Sequence, residues 1–303
     1  MILDIHTHLG AARCFPEPFY AGWRANIERL LPAGLRPEHR RKVAARFRLD
    51  RDDPFADLHV EEMNAAGVDA SVLLLIDFGV AWPEGFPTIE EVYAMTRAAA
   101  AKHPGRLLPF AGIDPRRGRH GLDLVDRALR EWGFRGLKLY PPCGFSPSDR
   151  SLDPFYDLCA HHGLPVLTHT GPTTPALPFR HTRPEDVDDA ARRFPGVNFI
   201  LAHGACVHHE EAALLAEFRP NVYVDTAGFQ LSARRGEWAG VLALYKRRGI
   251  LRKLLFGTDW PLHRQHGSLG DCLRVLRPPE ARLSDAEASC VLFENARELL
   301  RIQ

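Results

Sequence analysis

The chain has 303 residues, of which 45% are hydrophobic and 25% charged, the composition of an ordinary soluble globular protein able to build a sizeable core. Its 39 basic residues nearly cancel its 38 acidic ones, leaving a net charge of +1, so the footprint of a nucleic-acid or acidic-membrane binder is absent. The longest apolar run, Val72 to Ile76, is far below the roughly 20 residues that cross a bilayer.

The N-terminus shows no signal-peptide pattern, because Asp4, His6 and His8 interrupt its apolar stretch at once. Six scattered cysteines (Cys14, Cys143, Cys159, Cys206, Cys272 and Cys290) form no C-x-x-C pair, which argues against a zinc ribbon or dense disulfide framework and fits a reducing cytoplasm.

The first predicted element is the strand Leu3 to His8 in MILDIHTHLG. Side chains alternate across a strand, so His6 and His8 share a face with Cα atoms about 6.6 Å apart, close enough for two imidazoles to hold one metal ion. Asp4 is expected on the same face. An isolated H-x-H among 15 histidines can be fortuitous, so the later strands must decide. A long excursion from Gly10 to about Val60 follows, rich in Arg, Pro and aromatic residues such as Phe15, Phe19, Tyr20 and Trp23. It reads as a lid, a homodimer contact or an inert elaboration.

From residue 68 onward, β-branched or leucine-rich runs alternate with helix-period segments. The predicted strands are Ala70 to Asp77, Leu107 to Asp114, Gly136 to Tyr140, Val166 to Thr170, Phe199 to His203, Val222 to Thr226 and Leu254 to Asp259. Between them the pattern predicts helices over Ile89 to Lys102, Gly121 to Trp132, Pro154 to His162, Pro184 to Phe194, His209 to Glu217 and Ala239 to Arg247. Asp271 to Leu276 and Asp285 to Leu300 follow the last strand. With the first strand this is the count of an α/β fold of the (β/α)8 TIM-barrel class. It is read as one domain over 1–303, with 10–60 as an insertion after strand 1.

In such a barrel, side chains at the C-terminal strand ends converge on one mouth. Strand one brings His6 and His8, strand four Lys138 in RGLKLYPP, strand five His169 in VLTHTG, strand six His203 in ILAHGA and strand eight Asp259 in LFGTDWP. Each has an ordinary alternative: His169 as a hydrogen-bonded core histidine, Asp259 as a turn residue. Lys138 is harder to dismiss, since Leu137 and Leu139 face the helices and turn Lys138 and Tyr140 inward, where a lysine needs a partner or a modification. Tyr140, Asp77, Asp114, Asp225, Trp260 and His263 lie at or just beyond strand ends, within reach of a substrate. Arg180 and Arg183 could hold an anionic group.

The arrangement resembles the amidohydrolase superfamily, in particular its amidohydrolase-related branch, which also contains mononuclear-metal decarboxylases. The resemblance spans nearly the whole chain and rests on DIHTH, GLKLYPP, THTG, AHGA, FGTDWP and FENARELL. It implies that His6, His8, His169 and Asp259 bind metal, and that His203 is a second-metal ligand or a catalytic histidine. It also implies that Lys138, if carbamylated, bridges two ions.

The expected cofactor is one divalent ion, or two with that bridge. Zinc fits the imidazole-rich set, and Mn2+ and Fe2+ are compatible with it. The expected chemistry is hydrolysis of a C–N, ester or lactone bond of a small molecule, with Asp259 and His203 as catalytic residues. A decarboxylase of a small aromatic or enoic acid is the rival, and a non-catalytic ligand-binding barrel is the third reading.

Overall fold

Parallel strands follow one another around the sheet in sequence order: β1 (Leu3–Thr7), β2 (Ala70–Leu74), β3 (Leu107–Gly112), β4 (Leu137–Leu139), β5 (Val166–His169), β6 (Phe199–Ala202), β7 (Val222–Asp225) and β8 (Leu254–Leu255). This computed structural model describes residues 1–31, 34–40, 52–265, 267–277 and 282–302, so part of the predicted 10–60 excursion lies outside the described residues. Each strand pairs with the next. The ring closes where Ile5 N–H donates to Phe256 O, and where His8 N–H donates to Trp260 O, each at 2.8 Å. The eight-stranded (β/α)8 barrel expected from the sequence is therefore present.

Two apolar clusters explain its stability. Alternate strand residues such as Leu73, Leu137, Leu139, Phe199 and Leu201 join the layer beneath the helices. Val72, Leu74, Phe110, Leu167, Ile200 and Leu255 pack with Phe293, Leu299 and Leu300 of the C-terminal helical segment. Burial of these side chains stabilises the fold by about 1.5–3 kcal/mol for each large residue. Within FENARELL, the Asn295 amide donates to Leu251 O at 2.9 Å and to Leu254 O at 2.7 Å, tying this closing segment to β8.

The helices largely follow the predicted pattern. Ile89–Lys102 has the predicted bounds, fixed by a reciprocal Thr88–Glu91 capping box. The segment predicted from Pro184 to Phe194 divides into a 3-10 turn, Pro184–Val187, and a helix, Asp188–Arg193. The last predicted helix contains a π-helical turn, Cys290–Glu294. A short helix at Phe229–Arg234 has no counterpart in the sequence reading. The excursion after β1 carries the helix Glu17–Leu30, and the helix Asp57–Ala66 leads into β2. Among the described residues no helix is long and apolar enough to cross a membrane.

Candidate metal centre

The strand-one histidines reach the mouth through a bulge. Asp4 pairs with Ser71 but Thr7 pairs with Leu73, so β1 spends one residue more than β2 over this interval. Such a slip reverses which residues face inward beyond it. Leu3 and Ile5 join the inner cluster below the bulge, while His6 and His8 face the mouth above it. The expectation that Asp4 shares their face is thereby corrected. Asp4 points outward with Ser71 and accepts hydrogen bonds from the Thr258 hydroxyl at 2.5 Å and the Thr258 N–H at 3.0 Å.

Each mouth histidine has one ring nitrogen fixed by an acceptor. His8 Nδ1 donates to Leu74 O at 3.0 Å, His203 Nδ1 to Ala227 O at 3.0 Å, and His169 Nε2 to Pro172 O at 3.2 Å. A carbonyl can only accept, so in the neutral rings His8 Nε2, His203 Nε2 and His169 Nδ1 keep their lone pairs. His6 Nδ1 donates to Asp225 Oδ2 at 2.7 Å, which leaves its Nε2 in the same condition. These outer partners are the kind that orient metal-binding imidazoles.

The free atoms converge. Asp259 Oδ1 lies 3.3 Å from His8 Nε2 and 3.7 Å from His6 Nε2, and the three residues form a group able to hold an ion. His6 Nε2 and Asp259 Oδ1 are buried with no hydrogen-bond partner among the described residues. Three lone-pair atoms facing one another need a cation or a proton among them. Ligands about 2.1 Å from a tetrahedral zinc stand about 3.4 Å apart, so this spacing and donor set fit a divalent metal. His169 stands outside this tight group, its ring centroid 4.9 Å from that of His203. His203 instead groups with His6 and Asp225, and its N–H donates to Asp225 Oδ1 at 2.7 Å.

Electrostatics match this picture. Burial lowers the His6 pKa well below its ordinary value, and nearby Lys138 lowers it further. Burial alone would raise the Asp259 carboxyl, but His8, His6 and His203 hold it below the usual carboxylate range. Lys138 points inward as its neighbours require, is 1% exposed, and its Nζ has no hydrogen-bond partner among the described residues. Burial draws its pKa down to about 8, against the opposing pull of Asp225 and Asp259.

Ring contacts trace a closed circuit through this mouth. Centroid separations run His6–His8 5.3 Å, His8–Phe15 6.0 Å, Phe15–Phe78 6.0 Å and Phe78–Tyr140 5.4 Å. They continue Tyr140–His169 4.6 Å, His169–His203 4.9 Å and His203–His6 4.8 Å. One arc is imidazole and the other is Phe15, Phe78 and Tyr140. Sequence reasoning singled out Tyr140 and noted Phe15 only as one aromatic residue of the excursion; it missed Phe78, which follows Asp77 directly, and that adjacency was the available signal.

The other predicted contacts divide. Trp260 is 1% exposed, stacked on His59 at 4.2 Å with its indole N–H donated to Glu62, so the substrate contact expected of it gives way to a packing role. Arg183 is paired with Glu211 and Glu185, which compete with any anionic ligand, while Arg180 is exposed. Asp77 and Asp114 are engaged by Arg117 and Arg116. The side chain of His263 lies outside the described residues.

Several solved structures share this architecture. An uncharacterized TIM-barrel protein from Bordetella bronchiseptica superposes with a TM-score of 0.68 at 21% identity, covering 99% of this chain and 98% of that one. 5-Carboxyvanillate decarboxylase from Novosphingobium aromaticivorans, solved with manganese and 4-hydroxy-3-methoxy-5-nitrobenzoic acid, gives 0.69 at 13% identity over 99% and 95%. 4-Oxalomesaconate hydratase from Rhodopseudomonas palustris gives 0.64 at 17% identity over 99% and 96%. At these identities the likeness is one of fold. No curated protein matches the sequence. The family model described as Amidohydrolase matches residues 3–302, a span that takes in every strand of the barrel and every ring of the circuit. The chain belongs to the amidohydrolase family, whose members are metal-dependent enzymes.

Proposed function

We propose that the chain is a metal-dependent hydrolase that cleaves a C–N, ester or lactone bond of a small molecule with an activated water. The observation that carries this reading is Lys138, a buried amine without a hydrogen-bond partner among the described residues and within electrostatic reach of His6, His169, Asp225 and Asp259. His6, His8 and Asp259 would hold the ion, with His169 as a further donor. When bound, a divalent ion supplies Lewis acidity and lowers the pKa of a water from 15.7 to about 7.

The protein's own groups then divide the proton work. Asp259, kept ionised by its three histidine neighbours, accepts a proton from the attacking water and passes it to the leaving group. His203, its Nδ1–H committed to Ala227, turns Nε2 toward the substrate and in its protonated form stabilises the developing oxyanion. A neutral Lys138 can add to carbon dioxide, forming an N–C bond and releasing one proton, and the resulting carbamate offers oxygens for a second ion. Zinc suits the imidazole-rich set, and manganese in the similar decarboxylase structure keeps that ion in consideration.

Metal analysis of the purified protein tests the centre, with one or two equivalents per chain expected. Two equivalents falling to one in Lys138→Ala support the carbamate bridge; a single equivalent unaffected by that change removes it. Asp259→Asn is expected to abolish turnover while the fold persists, and retained turnover overturns its role. A second reading, a metal-dependent decarboxylase of a small aromatic or enoic acid, is favoured by the Phe15–Phe78–Tyr140 arc, which suits a flat substrate body. Screening lactones, amides and aromatic acids for hydrolysis and for carbon dioxide release separates the two.

A further inference from the structure

Phe15 is the member of the ring circuit that the barrel itself does not supply. It lies in the excursion after β1, is buried, and closes the gap between His8 and Phe78. Pro16 then caps the helix Glu17–Leu30. In the middle of that helix stands Gly22, at a position where alanine would form a better helix, so its presence asks for a packing reason. The reason is a close approach. A Cβ at Gly22 would lie 2.0 Å from Thr174 Oγ1 and 3.2 Å from Pro175 Cδ.

Thr174 belongs to the loop after β5 and is itself buried, with an Oγ1 that makes no hydrogen bond among the described residues. Its neighbour Thr173 shares a hydrogen bond of 2.7 Å with the Tyr140 hydroxyl, so this loop also touches the circuit. Strands one and five stand opposite each other in an eight-stranded ring. The segment therefore starts at β1, delivers Phe15 to the His8 side, and rests its middle on the β5 side.

We propose that the helix Glu17–Leu30 is a lid over the mouth, seated by Gly22 on Thr174, and that Phe15 at its N-terminal edge closes the pocket beside His8. Residue 22 is then a positioning residue, and Phe15 bounds the substrate directly. Only the metal arm of the following test rests on the metal-centre reading above.

Cys14, adjacent to Phe15, is 9% exposed and reports on the seat, while fully buried Cys159 reports on the core. Thiol labelling with peptide mapping is run on wild type, Gly22→Ala and Gly22→Ala/Thr174→Ala. Gly22→Ala is expected to speed Cys14 labelling about tenfold, with Cys159 still protected, as in a local opening. Removing Thr174 Oγ1 in the double variant is expected to restore the wild-type rate to within about twofold. The proposal is overturned if Gly22→Ala labels Cys14 at the wild-type rate, if the double variant stays fast, or if Cys159 becomes reactive alongside Cys14, which marks global unfolding. In the second arm, release of bound zinc or manganese to a chelator is expected to follow the same order. A wild-type protein that binds neither ion refutes the metal-centre reading, and the thiol arm still decides the lid.

Discussion

Replacing Asp225 with asparagine perturbs the centre without touching a proposed ligand. Asp225 is fully buried; its Oδ2 accepts from His6 Nδ1 at 2.7 Å, and its Oδ1 accepts from the N–H groups of His203 at 2.7 Å and Ala227 at 3.0 Å. An asparagine with its oxygen toward the two backbone donors keeps those bonds but presents an NH2 group to His6. His6 Nδ1 must then accept, and its proton moves to Nε2, the atom that faces Asp259. The ring no longer offers a lone pair to an ion. Loss of an outer partner of this kind costs about 10–100-fold in metal affinity, or about 1.4–2.8 kcal/mol. Stability of the metal-free protein should change less, because burial already pushes the Asp225 carboxyl up to about 6 and a neutral amide escapes that penalty. Asp225→Ala differs: it leaves the part-buried His203 N–H and the buried Ala227 N–H without their acceptor, at up to about 1–3 kcal/mol each. Titration calorimetry with zinc or manganese, paired with urea unfolding of chelator-treated protein, measures both effects. If Asp225→Asn binds metal with wild-type affinity, the tautomer argument for His6 is wrong.

Three further outcomes follow from buried polar groups. Burial raises the Asp4 pKa from 3.8 to about 7, so between those values the folded state keeps a proton that the unfolded chain has lost. Stability should therefore fall as pH rises through that window and level off above it. Thermal melts of metal-free Asp4→Asn should show a shallower decline, and an unchanged slope counts against the assignment. Arg117→Ala should cost about 3–5 kcal/mol, because it leaves buried Asp77 without the guanidinium that bonds it at 2.6 and 2.8 Å. Lysine should recover only part of that loss, having no planar fork, and full recovery in denaturant titrations would show that charge alone matters. Asn295→Ala should cost about 1–3 kcal/mol by stranding the Leu251 and Leu254 carbonyls, and a midpoint equal to wild type would remove the structural reading of FENARELL.

The barrel was legible because its strands are short apolar runs separated by helix-period segments, a signal carried within each segment. Lys138 could be turned inward from its neighbours alone, since Leu137 and Leu139 needed the helical layer. Features that depend on a distant partner were not legible. The β1 bulge exists only relative to β2, so strict alternation placed Asp4 on the wrong face. The acceptors that fix His8 and His203 are backbone carbonyls of Leu74 and Ala227, groups with no signature in side-chain identity. The resemblance made His169 a ligand, but not its neighbours: its ring stands beside those of His203 and Tyr140, a placement that its strand end alone does not give. The helix Phe229–Arg234 is too short to show a period.

His203 and Asp259 share one further property: both leave their strands in the left-handed region, with φ of 61° and 63°. Histidine and aspartate occupy that region more readily than most residues, yet such a conformation still costs on the order of 1–3 kcal/mol and needs its surroundings to enforce it. Glycine would relieve the backbone but remove a side chain on which the proposed chemistry depends. The enforcement comes from the centre itself. Asp259 N–H donates to His6 O at 2.8 Å, and His203 N–H donates to the Asp225 carboxylate that also holds the His6 ring. Asp259, the proposed proton carrier, and His203, the proposed oxyanion donor, are thus fixed by the His6–Asp225 pair, one through a backbone carbonyl and the other through a carboxylate. Asp225→Ala, which removes the acceptor of the His203 N–H, should therefore misplace His203 as well as His6, so that saturating metal leaves a residual turnover defect there, whereas Asp225→Asn, which keeps that bond, should lose turnover only as far as metal affinity falls.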